Sequence, residues 1–313
     1  MHEIQPSVVA IIYSPLDTML CSQCDLFVAG AIKTTLLIKI TLQITGKHNS
    51  VPCTTLALRP VLTEITQQDV EENITQLVTL ARIALENGDL EKAQSILEMG
   101  ISVGEEYRAY IIMPYMYDLL SSILFSTGNL KKAEEVLVRA IEQMVQLGSP
   151  ENDTQIIDFK LRLARIYSFN DKHKLAEMGF RNCVALQEAK ILNGDTSTRT
   201  GTLYVNVLFW YAMHKIKTKE YKGAKRLIDN AYTYSLKIRG LTPYQEMVIL
   251  YTMGDLNIQL EEYDMALQNI RSAVLMGKGI GSLNLPRYYM KLGMIYLKFD
   301  LKRTAEKMVD RSL

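Results

Sequence analysis

Turn-forming residues are scarce here: 17 glycines and 8 prolines in 313 residues. A sandwich or barrel that turns about every ten residues needs more of both, so the arithmetic favours helices. A surplus of one charge sign is missing too. Lys plus Arg number 35 against 34 Asp plus Glu, a formal net charge of +1. So even a balance creates no long-range field for nucleic acid or anionic lipid. Cysteine is sparse: Cys21, Cys24 and Cys53 crowd into the start and Cys183 stands alone, so no disulfide framework spans the body. No HExxH or GxSxG signature occurs, and His173 and His214 are the only histidines after position 48. The chain therefore reads as no enzyme, and nothing in it implies a cofactor or metal. Apolar residues make up 48% and charged residues 22%, which excludes disorder for the bulk of the chain.

Residues 1–65 are rich in Thr, Val and Ile, poor in charge and without sustained helical period. They read as an irregular leader, either a targeting segment or a misassigned start. Residues 26–45 (LFVAGAIKTTLLIKITLQIT) are the one membrane candidate, but Lys33 and Lys39 interrupt them. Each lysine would cost about 2.5–3.5 kcal/mol at a bilayer centre. Cys21-x-x-Cys24 has no second pair and reads as coincidence. The Asn-x-Thr matches at Asn73 and Asn152 are treated the same way.

Residues 66–313 repeat. Gly88-Asp89-Leu90 is followed by Ala93 and Leu97, and Gly128-Asn129-Leu130 by Ala133 and Leu137. The frame returns as His173, Ala176, Phe180; Tyr221, Ala224, Ile228; Tyr263, Ala266, Ile270; and Lys302, Ala305, Val309. Successive alanines lie 40, 43, 48, 42 and 39 residues apart. Twelve residues before each alanine sits the small member of a large–small pair: Leu80-Ala81, Leu120-Ser121, Leu163-Ala164, Tyr211-Ala212, Met253-Gly254 and Leu292-Gly293. A small residue on each helix lets the two approach closely. This is the tetratricopeptide pattern with a longer period, and it predicts an all-α, right-handed α-solenoid of about six helical hairpins.

Gly148, Gly194, Gly240 and Gly277 each stand where a left-handed residue would close a helix, and Pro114 and Pro286 where one would open. Gly277-x-Gly279-x-Gly281 lacks the context of a phosphate loop and reads as an inter-repeat turn. His173 takes the place of an inter-helix packing residue, and the 17 tyrosines read as packing between hairpins. The inner face of each first helix is the candidate protein-binding groove. Its residues lie three before and one after the small member: Val78 and Arg82, Asp118 and Ser122, Leu161 and Arg165, Phe209 and Met213, Tyr251 and Asp255, Met290 and Met294. The groove lacks the repeated Lys and Asn that clamp a peptide carboxylate. It is apolar with separated charges and suits an adaptable contact with a protein segment.

Tyr117-Asp118-Leu119 through Phe125, Gly128, Leu130 and Ala133-Glu134 resembles a unit of the tetratricopeptide repeat protein 19 family of mitochondria. So do Ile156-Ile157 through Leu161, Leu163-Ala164, Ile166-Tyr167, and Phe180 to Lys190 with Cys183. The resemblance covers roughly residues 70–313 and is strongest over 115–192. It implies a mitochondrial protein associated with the inner membrane, peripherally through a complex it binds. That complex is respiratory complex III, whose maturation such proteins assist by letting fragments of the Rieske iron–sulfur subunit be cleared. The family transfers no catalytic or cofactor residues. Residues 1–65 depart from its usual targeting segment, and the family continues beyond its last repeat. The competing reading from the repeats alone is a cytosolic adaptor binding cargo peptides.

Overall fold

The computed structural model describes residues 66–238 and 240–312; the leader reading of residues 1–65, with Cys21, Cys24 and Cys53, lies outside them. Among the described residues there are twelve helices and no strand. They are α1 (Gln67–Glu86), α2 (Leu90–Glu106), α3 (Met113–Ser126), α4 (Leu130–Gln146), α5 (Thr154–Phe169) and α6 (His173–Leu192). Then follow α7 (Thr198–Lys217), α8 (Tyr221–Ser235), α9 (Pro243–Gln259), α10 (Tyr263–Gly279), α11 (Leu285–Lys298) and α12 (Lys302–Asp310). The described residues fall into two compact units, 66–136 and 137–313, divided within α4. In the first, α1 pairs with α2. In the second, α5 pairs with α6, α7 with α8, α9 with α10 and α11 with α12.

Helix starts follow local chemistry. Thr66 and Asp69 form a reciprocal capping box on α1, and Thr242 and Gln245 form another on α9 behind Pro243. Asp153 caps α5 by accepting from the backbone N–H of Gln155 at 2.7 Å, and Ser197 caps α7 through Thr200 at 3.3 Å. Pro114 and Pro286 sit in the first turns of α3 and α11, where a missing N–H costs nothing.

The turn inside each repeat is the same object six times. The residue five before the repeat alanine has a left-handed backbone: Gly88 (φ 76), Gly128 (77), Asp171 (57), Lys219 (62), Glu261 (62) and Asp300 (56). Its N–H reaches back to close the helix, as does the next one: Asp89 to the Ala84 carbonyl at 2.9 Å, Glu220 to Lys215 at 2.8 Å, Glu262 to Asn257 at 2.8 Å. This is the Schellman closure, which glycine adopts without strain and other residues adopt at a cost. Only the first two units use glycine there, so the motif is hidden in the sequence of the other four.

The repeat alanines mark the core. Ala93, Ala133, Ala176, Ala224, Ala266 and Ala305 are all buried, as are the small partners Ala81, Ser121, Ala164, Ala212, Gly254 and Gly293. A Cβ on Gly254 would lie 2.3 Å from Ile270 Cγ1 and 3.3 Å from the Ala266 carbonyl oxygen, so α9 and α10 touch at the expected pair. The large members are less uniform: Leu120, Tyr211 and Leu292 are buried, whereas Leu80 is 49% exposed. Gly148 and Gly194 have the expected left-handed backbone, but Gly240 and Gly277 do not. Gly240 is small because Thr198 Cγ2 stands 2.4 Å from where its Cβ would be. Gly277 lies inside α10, crowded by Leu285 and Met247, and Gly281 (φ 64) makes the turn instead.

Candidate interaction surface

The forward position faces inward on five of the six first helices. Val78, Asp118, Leu161, Phe209 and Tyr251 are buried, and of that set Met290 alone is open. The position one after the small residue lies shallower: Arg82, Ser122, Arg165, Met213 and Asp255 are half-buried, and Met294 is exposed. In the unit of residues 137–313 the reason is visible, because the next first helix packs over these positions. Trp210 of α7 receives the Arg165 guanidinium 3.8 Å above its ring. Tyr288 of α11 stacks on Tyr251 of α9 with centroids 4.2 Å apart, Arg287 lies over the same ring at 5.2 Å, and Lys291 pairs with Asp255. Cation–ring contacts of this kind contribute about 0.5–2 kcal/mol each. Part of the tyrosine complement packs in this region: Tyr251, Tyr288, Tyr289 and Tyr296 are buried.

In the unit of residues 66–136 a concavity of about 730 Å³ lies between the second half of α1 and α2. Leu80, Ile83, Ile96, Met99 and Val103 form its apolar wall, with Lys92 and Glu106 among its polar residues. Leu80 thus faces this concavity rather than a helix partner.

Sequence reasoning did not find the polar cluster linking α5, α6 and α7. Glu177 accepts from Tyr211 Oη at 2.5 Å and Arg181 Nε at 2.9 Å, and pairs with Lys215 Nζ at 3.0 Å. Lys215 also meets Glu220 at 2.9 Å. These hydrogen bonds and cations hold the Glu177 carboxyl below its usual range despite its partial burial. His214 is buried, with Nδ1 2.8 Å from Ser168 Oγ and Nε2 3.9 Å from Glu177. Burial pushes its basicity down, so the ring is neutral at pH 7. Ser168 lies 46 residues away, which is why no local motif announced it. Serine and histidine are both enclosed, and the pair tethers α5 to α7. His173, expected to pack, is half-exposed, its ring centroid 5.7 Å from that of His214. Cys183 is buried and its thiol is pushed up to about 12 by burial, which keeps it protonated and inert.

With this geometry in view, comparison with known proteins fixes the repeat class. A tetratricopeptide-repeat profile matches residues 114–143, spanning α3 and most of α4. The chain is 25% identical over 222 residues to tetratricopeptide repeat protein 19, mitochondrial, of Danio rerio, covering 68% of this chain and 55% of the relative. The Homo sapiens protein of that name is 25% identical over 203 residues, 62% of this chain and 53% of the relative. The chain spans about half the length of these curated relatives. In fold it is similar to BtubC from P. vanneervenii, with TM-score 0.55 and 15% identity over 79% of this chain and 89% of that one. It is similar also to apo RapI, with TM-score 0.61 and 12% identity over 98% of this chain and 74% of that one. The protein is a helical tetratricopeptide-type repeat scaffold, related at a distance to mitochondrial relatives. No helix among the described residues is long and apolar enough to cross a membrane.

Proposed function

We propose that this protein is a noncatalytic mitochondrial adaptor of the inner membrane that binds respiratory complex III. Its role is to support maturation and integrity of that complex by letting fragments of the Rieske iron–sulfur protein be cleared. The observation that carries this reading is the 25% identity over 222 residues to relatives named as mitochondrial tetratricopeptide repeat proteins. The fold supports it in kind: the repeats build a scaffold whose conspicuous histidine and cysteine are enclosed in packing. Its contact with the partner segment runs through half-buried groove positions, Arg82 and Ser122 among them. Membrane association is peripheral, through the complex.

Affinity purification of the tagged full-length chain from detergent-solubilised mitochondria tests this. Complex III subunits, the Rieske protein among them, are the expected enrichment, together with accumulation of Rieske fragments when the gene is silenced. A tagged chain that stays diffuse in the cytosol and enriches no complex III subunit overturns the reading, and favours a cytosolic adaptor for cargo peptides.

A further inference from the structure

Asn-Gly occurs twice in the sequence, as Asn87-Gly88 and Asn193-Gly194, and an aspartate follows each time. Asparagine before glycine is the pair most open to deamidation, because no side chain on the second residue hinders its backbone nitrogen. Both asparagines are exposed and each ends a helix, Asn87 with φ −81 and ψ −1, Asn193 with φ −80 and ψ 8. The glycine after each has a left-handed backbone, and a Cβ on either would meet nothing within 4 Å. No neighbour crowds either turn.

The reaction needs a shape that neither turn holds. The glycine nitrogen attacks the asparagine Cγ, a C–N bond forms, and the side-chain amide leaves as ammonia. Water then opens the cyclic imide to isoaspartate or aspartate. Ring closure brings Cβ and the glycine nitrogen onto one side of the Cα–C bond, and the helical ψ of both asparagines keeps them apart. The nitrogens are also engaged: Gly88 N–H donates to the Leu85 carbonyl and Gly194 N–H to that of Ile191, both at 3.0 Å. So the last helical turn has to open first, and the cost of opening sets the rate.

That cost differs between the two turns. Gly88 alone separates Asn87 from Asp89, whose carboxylate caps α2 by accepting from the Lys92 N–H at 3.1 Å. Leu90 N–H also donates to the Gly88 carbonyl at 3.1 Å. Opening there disturbs two helix ends together. At the other turn, residues 194–197 lie between Asn193 and α7. The Asp195 carboxylate holds the start of α7, accepting from Ser197 N–H at 2.9 Å and Thr200 Oγ1 at 2.7 Å. The α6 end can fray while α7 keeps its first turn.

We propose that Asn193 is a site of spontaneous deamidation in the folded protein, gated by fraying of the α6 end, and that Asn87 is protected. The product places a carboxylate at the negative end of the α6 dipole, two residues from Asp195. As isoaspartate it also adds a methylene to the backbone and breaks the turn. The modification therefore loosens the joint between α6 and α7. It needs no partner and stands independently of the complex III reading.

Ageing the full-length protein in mildly alkaline buffer tests this, with peptide mass spectrometry and isoaspartate detection following both sites. In the native protein Asn193 is expected to convert about five-fold or more faster than Asn87, and in concentrated urea the two rates should converge. Asn193→Gln should remove the modification, and aged wild-type protein should melt below aged Asn193→Gln. The proposal is overturned if Asn193 stays intact in the native protein or if Asn87 keeps pace with it. A difference that survives in urea also overturns it, since neighbouring side chains rather than the fold would then set the rate. Equal melting of the aged wild type and variant overturns the loosening of the joint.

Discussion

Ala224 has no accessible surface and shares a core with Leu208, Ala212 and Ile228. Enlarging it leaves nowhere for the added carbons, so Ala224→Leu should destabilise the protein by about 1–3 kcal/mol, read as a lower midpoint in urea unfolding. Ala133→Leu should do the same, since Ala133 is equally enclosed. The opposite sign is expected at the repeat turns. Lys219 and Glu261 are exposed and hold left-handed backbones that glycine adopts without strain. Lys219→Gly and Glu261→Gly should each stabilise by about 0.5–1 kcal/mol, the relief of strain outweighing the added freedom of the unfolded chain. Cys183 should resist alkylation in the native protein and react only after unfolding, as peptide mass spectrometry would show. At this scale the alanines were legible because only a small side chain fits where two helices meet. The turn residues of four units were not, since Asp, Lys and Glu carry no signature of a left-handed backbone.

Between elements, α5, α6 and α7 are joined by the cluster around His214. The ring faces Ser168 from α5, His173 and Glu177 from α6, and Lys215 and Glu220 alongside. Its folded basicity lies below the ordinary value of 6.5, so the unfolded chain takes up the proton first. The sign follows: this contribution is present above about pH 6.5 and is lost as pH falls below it. Melting temperature should therefore drop as pH falls below about 6.5. Ser168→Ala with His214→Leu, which removes both partners of the buried hydrogen bond, should flatten that slope. A lower range belongs to Asp195, held at about 2 by Ser197 and Thr200 at the start of α7. Its contribution is present above the unfolded carboxyl value and lost as pH falls toward 2. The contacts that join these helices were not legible in sequence, because their partners lie 30 to 46 residues apart. Helix boundaries were more accessible: Thr242-Pro243 and Pro286 mark their starts, while Gly277 misleads because packing against Leu285, not chain reversal, requires it to be small.

For the whole molecule, 35 basic against 34 acidic residues leave a net charge of +1. Heparin chromatography should therefore fail to retain the full-length protein at about 0.15 M salt, where nonspecific nucleic-acid binders still hold. Period and composition alone determined the helical class, the hairpin frame and the six pairs of buried small residues, because close helix packing restricts residue size at fixed spacing. They also marked the first helices as the surface to examine. Tertiary structure decided which residues of that surface are open. Tyr251 and Asp255 look like groove residues in sequence, yet a stacked tyrosine and a lysine from the next hairpin cover them. Met290 and Met294 hold the same frame positions and remain in solvent. Exposure depends on what packs against a helix from a distant part of the chain, and helical period records only which way a side chain points.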